Sequence, residues 1–165
     1  MNQSSSPLTF KTIDLNLHSD ICVEFRIDSF VASFGSPDRF YSDGTAEQYL
    51  ESLRAKIAKD PRTVVHAWLD GEIVGQMEIG VRRDDPAMGY VNLFYLRADK
   101  RGCGLSIYLD QYAADYFKSI GLTSAMLSVS PTNPRAWAYY QKMNWVDLGP
   151  RPQHPEVHYM KKNYE

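Results

Sequence analysis

Three β-rich runs follow one another closely at residues 63–69, 73–81 and 90–96, and every other element must be fitted around them. Asp70-Gly71-Glu72 separates the first two, and Asp-Gly supplies the positive φ that a tight hairpin turn needs. Arg82-Arg83-Asp84-Asp85-Pro86 is a polar turn between the second and third runs. The third run, Tyr-Val-Asn-Leu-Phe-Tyr-Leu, is mostly apolar, the pattern of a central strand buried on both faces. An antiparallel meander in this place argues against a βαβ dinucleotide unit.

The flanks read as helices and shorter strands. Residues 10–13 predict a first strand. Ile21, Phe25, Ile27, Phe30, Val31 and Phe34 recur at roughly helical spacing over residues 19–34, and Gly35-Ser36-Pro37 stops that helix. A polar, aromatic loop through Arg39, Phe40 and Tyr41 is expected next. Thr45 is an N-cap before an acidic first turn, Tyr49, Leu53 and Ile57 line a second helix, and Asp60-Pro61 ends it. After the meander, residues 106–120 predict a helix with Ile107, Leu109, Tyr112, Ala113, Tyr116 and Phe117 facing inward and Gly121 at the C′ position. A strand at 126–129, a helix at 134–143 opened by Asn133 and Pro134, and strands at 145–148 and 157–161 complete the chain. The expected fold is mixed α/β, with a mainly antiparallel central sheet flanked by helices. One domain over residues 1–165 is expected, with residues 1–7 a flexible tail.

Composition narrows the function classes. The 165 residues carry 18 Lys+Arg against 20 Asp+Glu, a net charge of −2, which gives no electrostatic footprint for nucleic acid or an anionic membrane. No apolar run is long enough to span a bilayer, and the first residues lack the basic and apolar parts of a signal peptide. Cys22 and Cys103 cannot form a multi-bridge framework, so reduced thiols in the cytoplasm are expected.

No G-x-x-x-x-G-K-[ST] loop, G-x-S-x-G elbow or H-E-x-x-H motif is present. His154 and His158 stand four apart with Pro155 between them, and no metal site is expected there. Cys103, between two glycines, is better explained by backbone geometry than as a nucleophile. The informative segment runs from Leu96 to Ser106, where a central strand ends, Gly102 and Gly104 turn the chain, and a helix begins. Backbone amides at such a turn point outward together, and the helix N-terminus adds partial positive charge, so a phosphate can sit there. Glycine permits the close approach. A nucleotide-binding module using this turn alone would satisfy the same segment.

Tyr90 to Leu96 followed by Arg101-Gly102-Cys103-Gly104-Leu105-Ser106 resembles the GNAT-type N-acetyltransferase superfamily, whose signature R/Q-x-x-G-x-G/A lies between a central strand and a helix. Arg101 and Gly104 match, and Ser106 replaces the final small residue. The stretch from Asn133 to Trp145 resembles the family's N-x-x-A-x-x-x-Y-x-K-x-G-F segment, with Asn144 for glycine and Trp145 for phenylalanine. The resemblance covers residues 64–145, and the two preceding helices fit in order.

It implies an acetyl-CoA-dependent N-acetyltransferase acting on an amine, with a non-catalytic acyl-CoA-binding sensor on the same fold as the alternative. The amides of Arg101, Gly102, Cys103, Gly104, Leu105 and Ser106 would hold the pyrophosphate, and Phe94, Tyr95 and Leu96 the pantetheine arm. Asn133 matches a cofactor-contacting position, and Tyr140 a tyrosine that protonates the departing thiolate. Many relatives carry a glutamate base on the central strand, where this chain has Tyr90 and Asn92; Glu78, one strand earlier, is the nearest carboxylate, with Asn92 able to hold a water. The first interhelical loop and the C-terminal strands usually wall the acceptor site, which brings in Phe34, Arg39, Phe40, Tyr41, His154 and His158. Such a wall, aromatic and not strongly acidic, does not point to a polycationic substrate. Homodimers are common in the superfamily, so a second copy of the chain is among the partners implied.

Overall fold

The computed structural model describes residues 6–164; of the expected tail, residues 1–5 lie outside them. Seven strands form one sheet: β1 (Thr9–Thr12), β2 (Val64–Leu69), β3 (Glu72–Val81), β4 (Gly89–Leu96), β5 (Ser124–Val129), β6 (Val146–Arg151) and β7 (His154–Asn163). Their order is β1-β2-β3-β4-β5-β7-β6, which puts β4 at the centre. Every neighbouring pair is antiparallel except β4 with β5. The helices are α1 (Leu15–Phe34), α2 (Asp38–Ser42), α3 (Ala46–Lys59), α4 (Ser106–Ser119) and α5 (Pro134–Lys142). The mixed, mainly antiparallel sheet flanked by helices is the expected fold.

Local chemistry explains most boundaries. Asp70 (φ 50°) and Gly71 (φ 81°) both take the left-handed turn that joins β2 to β3. Thr45 and Gln48 close a reciprocal capping box on α3. Helix α1 starts four residues earlier than expected, because the Asp14 carboxylate accepts from the amides of Asn16 and Leu17 at 3.0 and 3.3 Å. The expected loop through Arg39, Phe40 and Tyr41 is instead the one-turn helix α2, too short to show a periodic pattern.

The sheet is covered on both sides. On one, Leu105 and, from α4, Leu109, Ala113 and Phe117 pack with Val65, Met77, Val91, Ala125 and Leu127. On the other, Phe25 of α1 meets Leu93 and Tyr95, and Cys22 and Leu53 meet Val64. Ile107, expected to face inward, is 49% exposed: it sits in the first turn of α4, where the helix overhangs the cleft described below. No helix among the described residues is long and apolar enough to cross a membrane.

Two irregularities at the sheet centre make the site. Strands β4 and β5 pair only from Gly89–Ala125 to Val91–Leu127, and then part. The pairing end is tight: a Cβ on Gly89 would lie 2.6 Å from the Phe117 ring, so only glycine fits. Between β3 and β4, Glu78 faces Leu93 and Ile79 faces Val91, which leaves Asn92 as an extra, bulged residue. The bulge reverses the alternation, so Val91 joins the α4 core while Leu93 and Tyr95 join the α1 core.

Candidate active site

Where β4 and β5 part, a cleft of about 1890 Å³ crosses the molecule. At one end lies the glycine turn. Gly102 (φ 75°) and Gly104 (φ 80°) are both left-handed, and a Cβ on Gly104 would meet nothing within 4 Å, so its Cα faces open space. Helix α4 starts just beyond with no side-chain cap, leaving its first amides available to an anion. The Arg101 side chain is already committed: its guanidinium donates to the Leu96 carbonyl at 2.8 Å and to Asp28 at 2.7 Å. Tyr95 donates to the same Asp28 at 2.6 Å, so the turn, β4 and α1 are tied at one carboxylate.

Gly102, Gly104, Ser106, Phe94, Tyr95, Leu96 and Asn133 all line the cleft, whereas Leu105 is buried in the core and Cys103 is exposed outside it. Asn133 caps α5 through its Oδ1, which accepts from the Ala136 amide at 3.3 Å. Arg135, absent from the sequence expectations, reaches the turn, and an added Cβ on Gly102 would lie 2.4 Å from it.

Tyr140 lines the middle of the cleft, its ring 6.4 Å from that of Phe94. Burial, reinforced by the charge of Asp110, raises its pKa, so the phenol stays protonated and can donate. The hydroxyl of Tyr139 is buried with no hydrogen-bond partner.

The cleft also runs between α1 and the sheet. Asn92 is exposed there, and two cations converge on it: Arg26 donates to its carbonyl at 3.4 Å and Lys56 to its Oδ1 at 3.1 Å. Phe34 lines the wall beneath the Arg39 guanidinium, which also pairs with Glu156 at 3.0 Å and so links α2 to β7. Opposite stand Tyr90 and Ser128, whose hydroxyls are 2.5 Å apart, and Arg151, which donates to Ser128 at 3.2 Å.

Five expected residues do not line this space: Glu78, Phe40, Tyr41, His154 and His158. Glu78 is 5% exposed and accepts from Tyr49 at 2.5 Å and Gln76 at 3.1 Å, in a buried chain that continues to His66 and Cys22. Phe40 is buried against Phe30 and Tyr49, behind the wall rather than on it. Tyr41 is 63% exposed on the outside of α2. His154 and His158 converge on no common point, since His158 pairs with Asp147 and His154 is exposed; no group of three metal-ligating side chains occurs among the described residues.

The site thus combines a central strand that parts from its parallel neighbour, a glycine turn and an uncapped helix. The acetyltransferase (GNAT) family model matches residues 25–145, and the chain belongs to that family. Among solved structures, a PaiA N-acetyltransferase from Thermoplasma acidophilum in complex with coenzyme A matches 95% of this chain and 99% of its own, at 17% identity and a TM-score of 0.67. YncA, a putative acetyltransferase from Salmonella typhimurium with acetyl-CoA, matches 96% and 94%, at 13% identity and a TM-score of 0.73. The aminoglycoside acetyltransferase AAC(6')-Ib in complex with coenzyme A matches 94% of each chain, at 22% identity and a TM-score of 0.69. At these identities the likeness is one of fold. No curated protein matches the sequence.

Proposed function

We propose that the protein moves an acetyl group from acetyl-CoA directly to an amine. The observation that carries this is one continuous cleft joining the open face of Gly104, the unpaired edge of β4, Tyr140 and Asn92. The donor fits the turn: the α4 amides donate to a pyrophosphate, Arg135 adds charge, and the main-chain groups of Phe94 and the Leu96 amide, freed where β5 departs, hold an extended arm. A β4 amide then faces the thioester oxygen and holds the charge that develops there.

The amine nitrogen bonds to the acetyl carbon as the carbon–sulfur bond breaks. Tyr140 gives its proton to the departing sulfur. The proton leaving the amine goes to a water held by Asn92, since Tyr49 and Gln76 occupy the Glu78 carboxylate and no cleft surface reaches it. The test is acetyl-CoA titration followed by CoA release across an amine panel. Tight binding with release on one class of amine is the expected result. Binding without turnover on any amine would make the protein an acyl-CoA sensor, and preference for ATP or NAD a nucleotide module.

A further inference from the structure

The acceptor half of the cleft is rich in cations that lack an anionic partner. Arg26 and Lys56 approach the same neutral residue, Asn92, one at its main chain and one at its side chain. Neither forms an ion pair among the described residues, whereas Arg39, Arg82 and Arg101 each hold a carboxylate. Across the cleft Arg151 reaches only Ser128 and the face of Tyr159, and it too has no ion-pair partner there. Glu78 is the nearest buried carboxylate, and its Oε2 is taken by Tyr49 and Gln76.

Two like charges on one neutral amide repel, and burial makes that repulsion costlier. Burial indeed lowers the Lys56 pKa; the charge of Glu78 opposes that shift, and Arg26 adds to it. An anion above Asn92 would satisfy both groups at once. The remaining wall includes four aromatic residues, Phe30, Phe34, Tyr90 and Tyr159, and the carboxylates of Asp43, Asp60 and Asp84, of which Asp60 pairs with Arg62 and Asp84 with Arg82.

We infer that the acceptor carries a carboxylate beside its amine, and that Arg26 and Lys56 hold this carboxylate over Asn92. The inference rests on the transferase reading for its amine but not for its anion. Anchoring there places an amine, one carbon away, at the parting of β4 and β5. The aromatic wall then receives the rest of an amino-acid-like molecule. A polyamine or aminoglycoside would instead meet three cations.

Calorimetric titration with the product-like N-acetyl derivatives of phenylalanine, leucine and glutamine, each as free acid and as carboxamide, tests this without requiring turnover. Charge-assisted contacts to both cations predict at least about tenfold tighter binding of one or more of the acids than of its carboxamide. In Arg26→Gln and Lys56→Met that ratio should collapse towards one, while Arg26→Lys retains part of it; acetyl-CoA affinity should hold in all three. Equal binding of acid and carboxamide in the unmodified protein, or binding of neither form, overturns the inference. So does a ratio that survives both substitutions. An intact acid preference with no turnover on any amine would remove the transferase reading and leave the carboxylate site standing.

Discussion

Tyr139 and Tyr140 are neighbours on α5 with opposite prospects. Tyr140→Phe keeps the ring near Phe94 and Trp145 and removes only the proton donor. We expect kcat to fall at least about tenfold with acetyl-CoA affinity unchanged, since general acid catalysis contributes on the order of 10²–10⁴-fold; steady-state kinetics and titration check both halves. Tyr139→Phe deletes a buried hydroxyl that has no partner, so urea denaturation should show unchanged stability or a gain of up to about 1 kcal/mol, with kcat intact. A larger kinetic loss at Tyr139 would assign the acid to the wrong phenol. The tyrosine pair was legible in the sequence, because the motif from Asn133 to Trp145 fixes its register. Arg26 and Lys56 were not singled out, although the signal existed. Lys56 falls three residues after buried Leu53, and Arg26 four after buried Cys22, so each cation interrupts an inward-facing stripe. Periodicity rewards apolar residues, and a lysine there looks like noise until the sheet supplies Asn92 opposite.

At the scale of elements, the glycine turn separates conformation from contact. Gly104→Val places a branched side chain in the open space above the turn and forces a non-glycine φ of about +80°, at a cost of roughly 1–2 kcal/mol per left-handed residue. Acetyl-CoA affinity should drop at least about tenfold while far-UV circular dichroism stays native; unchanged affinity in the folded variant would move the phosphate site elsewhere. Asn133 invites a finer division. Serine there can still accept from the Ala136 amide and cap α5, but it loses the amide group that faces the cleft. Asn133→Ser should therefore weaken acetyl-CoA binding and leave Tm nearly unchanged, whereas equal losses of both would make the residue a cap alone. The meander, α3, α4 and α5 were legible because strong turns or caps bound them. The hidden elements were those without a period: α2 is one turn long, and the first turn of α1 depends on Asp14, with Leu17 74% exposed and no apolar stripe behind it.

Across the whole molecule, charge balance concealed charge placement. A net −2 is near neutrality, yet the cleft gathers Arg26, Lys56 and Arg151, none of them in an ion pair among the described residues. No sequence sum can show that placement, because it is made by the folding together of α1, α3 and β6. Global stability should also carry a signature of the buried chain behind the cleft. His66 is 1% exposed, and burial lowers its pKa from 6.5 to about 4, although its hydrogen bond with Gln76 opposes the shift. The unfolded chain takes up this proton first, so the contribution is complete above pH 6.5 and is lost as pH falls towards 4. It amounts to at most about 3 kcal/mol. Denaturation at stepped pH, with an NMR titration of the imidazole, checks the claim; protonation of His66 near pH 6.5 in the native state would refute it.

The bulge at Asn92 also sets how this fold can vary through evolution. The extra residue lies outside the ladder, and the side chains of β4 beyond it alternate between the two helix layers. Deleting Asn92 itself would leave Val91 and Leu93 on the faces they already occupy, but losing one residue beyond it, Phe94 for example, would turn Tyr95 towards α4 and Leu96 towards α1. Length changes are thus barred from the strand beyond the bulge, where descendants can drift only by substitution. Insertions remain open to the segments at either mouth of the cleft, such as the connection after α1. A lineage of such proteins would therefore be expected to keep its reaction and exchange its acceptors.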